Sequence, residues 1–271
     1  MQLGIRLHDT IDLPIEERLA HVRSLGFTCG HMALGKVIAE YSTADEALTP
    51  GLTMYLKRQF TKNDLDCAVL GCYLNLIEPD KERLEQIVKR YLAHIRFASI
   101  LGCGVVGTET GVVRDCDHEK MFQTFLRNLR PVVEYAEKMG VIIAIEPVYC
   151  GTINTPATAR RMLDIIQSPN LQIILDPVNL LGMHNYQNEK AVVDEAIALL
   201  GPDIAVIHIK DYKVVDGKMH AVGAGLGQMD YTSLIRFMKE KKPFIHATLE
   251  NTTPENHVQC REIMQKLYDE A

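Results

Sequence analysis

Short unbroken runs of apolar residues alternate with longer amphipathic segments along the chain. One such run, Val141-Ile-Ile-Ala-Ile, leads into Glu146 and Pro147, and it predicts a strand buried on both faces, as in parallel sheets. Proline removes a backbone donor and biases the preceding residue towards an extended conformation, so we expect the strand to end there. Three more runs of this kind end in side chains of metal-binding types, namely Asp176, His208 and Glu250.

The whole pattern predicts eight strands, each followed by a helix. The strands are expected at residues 2–7, 26–33, 67–74, 104–108, 141–146, 171–175, 204–209 and 244–249. The helices are expected at residues 14–25, 45–63, 79–101, 118–139, 154–167, 188–200, 230–242 and 254–270. This alternation favours parallel strands, and eight units favour closure into an α/β barrel of the (β/α)8 type. An open doubly wound sheet is the alternative, but no glycine-rich nucleotide turn follows the first strand.

Composition narrows the class of protein and its partners. The 271 residues, 47% of them hydrophobic, suit one barrel domain, which we expect to span residues 1–271. A net charge of −6 counts against a nucleic-acid partner held by a broad basic surface. Seven cysteines without regular spacing indicate reduced thiols, and neither a signal-peptide pattern nor a membrane-length apolar run is visible. We therefore expect a cytoplasmic protein without membrane contact.

The four strand-end side chains belong to predicted strands five to eight, which are neighbours on a barrel. Active sites of such barrels lie at the C-terminal ends of the strands. Three carboxylates and one imidazole suit a single divalent ion of the Mn, Co, Mg or Zn type, with positions left for water or substrate. One acid at a strand end often only caps the next helix, but four successive ends of this kind predict a metal site formed by Glu146, Asp176, His208 and Glu250.

Four stretches resemble those of the xylose isomerase-like superfamily of barrels, in particular its sugar (phosphate) isomerase/epimerase branch. They are Ile145-Glu-Pro147, Leu175-Asp-Pro177, His208-Ile-Lys-Asp211 and Thr248-Leu-Glu-Asn251. The resemblance extends over essentially the whole chain and implies that the four predicted ligands hold the metal ion. It also implies that Glu146 and Glu250 are catalytic and transfer protons, and that the chain associates as a homodimer or tetramer.

Such a site suits an isomerase or epimerase of a small keto-sugar or polyol, which reacts through an enediolate. A keto-inositol dehydratase-type lyase needs the same enediolate and stays open as an alternative. An AP endonuclease-like nuclease would need further zinc ligands and a basic groove. A sugar-binding barrel without catalysis is a fourth interpretation.

Seven further polar residues are candidates for substrate contacts. Lys210 lies two residues after His208 and points the same way if the strand continues. The others lie at predicted strand ends or in the loops that follow: His8, His31, Glu109, Asn179, His184 and His220. His31 stands where many relatives have an acid, and Asn179 stands where epimerases and AP endonucleases often have histidine. Lys210 could instead pair with a nearby acid, and His184 could be an exposed loop residue.

The segment from Met219 to Gly227 has glycines at positions 223, 225 and 227. Its backbone amides could bind a phosphate group, as barrels often do near strands seven and eight, or it could be a flexible turn. Asp211 is likewise either a loop cap or a site residue. The sequence leaves open whether the sugar carries a phosphate.

Overall fold

The computed structural model describes residues 1–111 and 117–271, and these residues contain ten strands. In chain order they are β1 Gln2–Arg6, β2 Cys29–Met32, β3 Asp66–Gly71, β4 Val105–Glu109, β5 Ile142–Glu146, β6 Leu171–Leu175, β7 Ile204–Ile209, β8 Asp211–Val215, β9 Lys218–Val222 and β10 His246–Leu249. All except β8 and β9 are parallel neighbours in a closed barrel, in which β10 lies between β7 and β1. The structure therefore confirms the predicted (β/α)8 barrel.

Within the described residues, one helix follows each barrel strand, and a further helix of one turn, α2, follows β2. The helices are α1 Ile15–Ser24, α2 Leu34–Val37, α3 Pro50–Lys62, α4 Lys81–Leu101, α5 His118–Met139, α6 Pro156–Ile166, α7 Glu189–Leu200, α8 Thr232–Lys241 and α9 His257–Glu270. At the start of α5 the Asp117 carboxylate accepts a hydrogen bond from Lys120 N, and Gly140, with a φ of 65°, ends the helix. None of the described helices has the length and apolar character needed to cross a membrane.

Two apolar layers stabilise the barrel. The outer layer lies between helices and strands and buries large side chains such as Phe97, Phe122 and Phe125. A smaller cluster from six neighbouring strands packs separately and consists of Cys29, Ala68, Val69, Val105, Ala144, Ile174 and Val206. Because the interior of such a barrel is a packed core rather than a pore, polar chemistry is confined to the strand ends and the loops.

The clearest departure from the predicted elements follows β7. Residues expected to form a loop before the helix instead form an antiparallel hairpin of β8 and β9, in which Asp211 pairs with Val222. Asp216 and Gly217 connect the two strands, and their φ angles are 51° and 71°. An Asp-Gly pair with positive φ at both residues is typical of a tight hairpin turn. The sequence therefore contained the signal for this hairpin.

The second strand and the second helix are both shorter than predicted. The strand expected at residues 26–33 is β2, Cys29–Met32, and the helix expected at 45–63 is α3, which begins at Pro50. The Thr49 hydroxyl accepts a hydrogen bond from Leu52 N, and Pro50 occupies the first helical position. This cap and proline fix the start of α3.

The cysteines within the described residues are free thiols, and Cys116 lies outside those residues.

Gly107 of β4 provides a test of the packed interior. A Cβ atom at this position would lie 2.6 Å from Val69 Cγ1 and 2.7 Å from Ile174 Cδ1. We expect Gly107→Ala to lower the free energy of unfolding by about 1–3 kcal/mol, because the barrel has no space for the added methyl group. Chemical denaturation of the variant and the wild type measures this difference.

Gly104→Ala is the matched control, because no atom of the described residues lies within 4 Å of a Cβ built there. Its free energy of unfolding should change by less than about 1 kcal/mol. Equal destabilisation by the two substitutions would contradict the close packing at Gly107.

Candidate metal centre

Four predicted ligands converge at the C-terminal ends of four adjacent strands. Glu146 ends β5, Asp176 follows β6, His208 is the next-to-last residue of β7, and Glu250 follows β10. All four side chains are buried. Each contributes one ligand atom, and these atoms lie within 4.8 Å of one another. We refer to these four residues as the quartet.

The His208 ring is at the centre of the quartet. Its Nδ1 atom lies 3.2 Å from Glu146 Oε2 and 3.2 Å from Glu250 Oε1. One ring nitrogen cannot donate a hydrogen bond to both carboxylates, and buried carboxylates are costly without compensating positive charge. A divalent cation among these atoms would attract all three acids, and oxygen donors with one imidazole suit such an ion. The residues present therefore fit a metal site.

When no ion is bound, the charged groups in and around the quartet shift one another's pKa values. Burial opposes the charged form of His208, but Glu250 and Glu146 outweigh it and raise the pKa of His208 to about 9. Burial also disfavours the Glu250 carboxylate, yet His208, His31 and Lys210 hold its pKa well below the usual range. Burial raises the pKa of Asp176 to about 6, against the opposing effect of Lys210. Because a metal ion displaces the His208 proton, its binding should depend on pH.

Lys210 and Asn179 connect two members of the quartet, Asp176 and Glu146. The Lys210 ammonium lies 2.8 Å from Asp176 Oδ2 and donates a hydrogen bond of 2.6 Å to Asn179 Oδ1. Asn179 in turn donates from Nδ2 to Glu146 Oε1 over 2.7 Å. An amide suits this position because it accepts on one side and donates on the other. Asn179 thus bridges a cation and an acid.

Two histidines form the wall of the site next to β1 and β2. His31 of β2 is fully buried, and its ring is stacked on that of His208 with a centroid distance of 5.1 Å. His8 lies in the turn after β1, with its ring edge-on to His31 at 6.3 Å. Burial, and after it the charge of Arg6, lowers the pKa of His8 to about 3. Both rings therefore lie within reach of the quartet, and His8 is neutral at ordinary pH.

The other three predicted substrate residues lie further out. Glu109 ends β4 beside Glu146, with which it is in register, and its side chain stays accessible. Partial burial, and after it the charge of Glu146, raises the pKa of Glu109 to about 7. His184 is exposed in the loop after β6, with its ring 6.1 Å from that of Tyr149. His220 is exposed on β9 of the hairpin, and the structure does not bring it into the quartet.

The glycine-rich segment after β9 encloses the carboxylate of Asp211. Asp211 Oδ1 accepts hydrogen bonds from Tyr212 N at 2.7 Å and Met229 N at 2.8 Å, and Oδ2 accepts one from Gly227 N at 2.9 Å. A Cβ atom at Gly227 would collide with this carboxylate. The Gly227 amide of this segment is thus engaged by an acid of the chain itself. This geometry favours the loop-cap interpretation of Asp211.

Two residues that contact the site were not among the predicted ones. Arg6 Nη1 lies 3.4 Å from Glu250 Oε2, and Arg6 Nε lies 3.0 Å from Asp9 Oδ2. The Tyr73 hydroxyl lies 3.0 Å from His31 Nε2. Arg6 ends β1, and Tyr73 follows β3 by two residues. The rule that selected the metal ligands, a polar side chain at the C-terminal end of a strand, would also have selected these two.

Comparisons with known proteins agree on the fold. A family model described as a xylose isomerase-like TIM barrel matches residues 19–267, whereas no curated protein matches the chain in sequence. A D-tagatose 3-epimerase-like protein superposes with a TM-score of 0.78 and 19% identity over 99% of this chain and 97% of its own. The IOLI protein with a zinc atom superposes with a TM-score of 0.77 and 18% identity over 100% of this chain and 99% of its own. The 3-keto-D-glucoside 4-epimerase from E. coli superposes with a TM-score of 0.75 and 14% identity over 98% of this chain and 99% of its own.

The raised pKa of Glu109 gives a pH prediction for the metal-free protein. A pKa of about 7, above the ordinary 4.5, means that the folded state binds this proton more tightly than the unfolded state does. The resulting stabilisation is complete below about pH 4.5 and is lost as the pH rises through about 7. Glu109→Gln should remove this loss, so the variant should gain stability relative to wild type between about pH 5 and pH 8 in denaturation curves recorded with chelator.

Glu119→Gln is the matched control on the surface of α5. Hydrogen bonds from Arg161 lower the pKa of Glu119 to about 2, so its contribution is constant between about pH 5 and pH 8. The stability difference between Glu119→Gln and wild type should therefore not change over that range. The same behaviour for Glu109→Gln would contradict the raised pKa.

Proposed function

The chain belongs to the xylose isomerase-like TIM barrel family, and on that premise we propose that it is a sugar isomerase or epimerase that uses one divalent metal ion. The observation that carries the proposal is the buried quartet of three carboxylates and one imidazole at adjacent strand ends. The names of two similar structures, a D-tagatose 3-epimerase-like protein and a 3-keto-D-glucoside 4-epimerase, support a sugar substrate. A third, crystallised with zinc, supports the metal ion.

One oxygen from each of Glu146, Asp176 and Glu250, together with a ring nitrogen of His208, would hold the ion. When bound, a divalent ion of the Mn, Co, Mg or Zn type supplies Lewis-acid polarisation of substrate oxygens. The donor set suits several of these metals. The quartet is complete within one side of the barrel mouth, so no second chain has to contribute a ligand.

Glu146 and Glu250 are the proton-transfer groups in this proposal. They come from β5 and β10, with β6 and β7 between them, and both face His208 Nδ1 at 3.2 Å. In this proposal the Glu250 carboxylate accepts the proton from the carbon beside the carbonyl group, which gives an enediolate. Return of a proton to the opposite face by Glu146 inverts that carbon, whereas return to the neighbouring carbon gives an isomer.

A keto-inositol dehydratase-type lyase is the second candidate, and Glu109 is the observation that favours it. Loss of a hydroxyl group from an enediolate needs an acid, and a carboxyl group with a pKa of about 7 at the mouth can supply a proton near neutral pH. An AP endonuclease-like function is not favoured. Asn179 is engaged by Lys210 and Glu146, and the net charge is −6.

Our proposal includes a substrate without a phosphate group. The Gly227 amide of the glycine-rich segment and the Met229 amide after it bind Asp211. Among the described residues, the cations beside the quartet, Arg6 and Lys210, are paired with its acids. A phosphate group would bring negative charge to a mouth where acids already predominate. An uncharged keto-sugar or polyol fits this electrostatic environment.

Metal removal and substitution of the two glutamates test the reaction. With D-tagatose, D-psicose and D-fructose as trial substrates, chelator should abolish conversion, and Mn²⁺ or Co²⁺ should restore it. Glu146→Gln and Glu250→Gln should each lower kcat by about 10²–10⁴-fold, the usual contribution of a general acid or base. Conversion in deuterated water should add deuterium to the product without loss of water, whereas loss of water would favour the lyase.

The matched control is Glu85→Gln on the exposed surface of α4, which should keep wild-type kcat. Purified protein that binds no divalent ion, or conversion that is indifferent to chelator, would contradict the proposed function.

Substrate charge is tested by comparing a converted ketose with its phosphate ester. We expect a higher kcat/KM for the free sugar, since the described residues place acids at the mouth and the ester would add negative charge to them. Inorganic phosphate should not inhibit the reaction competitively. A higher kcat/KM for the ester, or competitive inhibition by phosphate, would show that the substrate is phosphorylated.

A further inference from the structure

His31 and Tyr73 contact the quartet without belonging to it. His31 Nδ1 lies 3.7 Å from Glu250 Oε1, and the His31 ring is stacked on that of the ligand His208. On the other side of the ring, Nε2 lies 3.0 Å from the Tyr73 hydroxyl. The three side chains of Tyr73, His31 and Glu250 therefore form a continuous row that ends at the metal centre.

The backbone is adapted to this row at two places. The register between β2 and β3 shifts by one residue between Gly30 and His31, and such a bulge re-aims the side chain that follows it. In β3, a Cβ atom at Gly71 would lie 2.8 Å from His31 Nε2 and 2.7 Å from Tyr73 Cε2. The contact between His31 and Tyr73 thus requires a residue without a side chain at position 71.

The tautomer of His31 and the direction of its hydrogen bond with Tyr73 follow from the chemistry of the partners. The 3.7 Å between His31 Nδ1 and Glu250 Oε1 is longer than a hydrogen bond and is a close polar contact. An ionised carboxylate can only accept, so the His31 nitrogen that faces Glu250 is favoured as N–H. The other nitrogen, Nε2, then accepts a hydrogen bond from the Tyr73 hydroxyl. In this arrangement the tyrosine fixes the tautomer of the histidine, and the histidine presents a donor to Glu250. Outer partners of this kind commonly orient the ligands of a metal site.

We propose that Tyr73 and His31 position the Glu250 carboxylate, so that His31 is a positioning residue for the proposed metal-dependent proton transfer. This inference rests on the proposed function. His31 acts on Oε1 of Glu250, which also faces His208. The other oxygen, Oε2, faces Arg6 and Lys210. The row fixes the rotation of the carboxylate, and hence which oxygen faces the metal and which faces the substrate.

Binding of Co²⁺ to the metal-free protein tests the proposal without any substrate. Visible absorption during titration gives both the affinity and the ligand geometry. His31→Leu should weaken Co²⁺ binding by about 10–100-fold, the usual effect of losing an outer partner, and should change the spectrum. His31→Asn keeps an N–H group near the position of Nδ1 and should restore most of the affinity. Tyr73→Phe should weaken binding less than His31→Leu does.

The matched control is His94→Leu, which removes a buried histidine whose Nδ1 contacts Arg90 O within α4. It should leave the Co²⁺ affinity and spectrum unchanged. Unchanged affinity and spectrum in both His31→Leu and Tyr73→Phe would overturn the proposal. Equal losses in His31→Asn and His31→Leu would also overturn it, because His31 would then bind the metal directly.

Asp176→Asn separates failure of this proposal from failure of the proposed function. It removes a ligand charge without touching the row of Tyr73, His31 and Glu250. Weaker Co²⁺ binding in Asp176→Asn together with normal binding in His31→Leu and Tyr73→Phe would leave the proposed function intact and reject the positioning role. Wild-type protein that binds no Co²⁺ would reject both.

Discussion

Repulsion among buried carboxylates is the constraint on which the mouth of this barrel depends. Glu146, Asp176 and Glu250 place their ligand oxygens within 4.8 Å of one another, away from water. Each has acquired a compensating neighbour at the rim: Asn179 for Glu146, Lys210 for Asp176, and Arg6 with His31 for Glu250. When no ion is bound, the remaining countercharge comes from His208 itself, whose Nδ1 lies 3.2 Å from both glutamates. Acids arranged in this way favour a divalent cation at that point.

The rigid part of the fold makes this crowding possible. Parallel strands joined by helices bring four chain-distant residues side by side, and the packed interior beneath them keeps the strand ends at fixed separations. The polar residues that compensate the acids come from the same strand ends or from the loops directly after them. The three acids that would bind a cation therefore also affect the stability of the fold, because burying them together without a countercharge costs free energy.

Much of this could be predicted from the sequence, for reasons that particular residues make plain. Apolar runs that end in Glu146, Asp176, His208 and Glu250 indicate both the barrel and the convergence of the ligands, because parallel strands end at one edge. The row of Tyr73, His31 and Glu250 could not be predicted. It depends on a one-residue register shift at Gly30 and His31, which depends on packing rather than on a local motif. The hairpin, by contrast, had its signal in Asp216 and Gly217.

Asp211 can be viewed as a ligand tethered to its own binding site. Its carboxylate is held by the amides of Tyr212, Gly227 and Met229, and covalent attachment gives it a high effective concentration there. A free anion would have to displace the Asp211 carboxylate, which is covalently attached next to these amides. Replacing this one acid by a smaller neutral residue would leave three amide donors without their acceptor. The side chain at this one position thus decides whether these amide donors are paired within the chain.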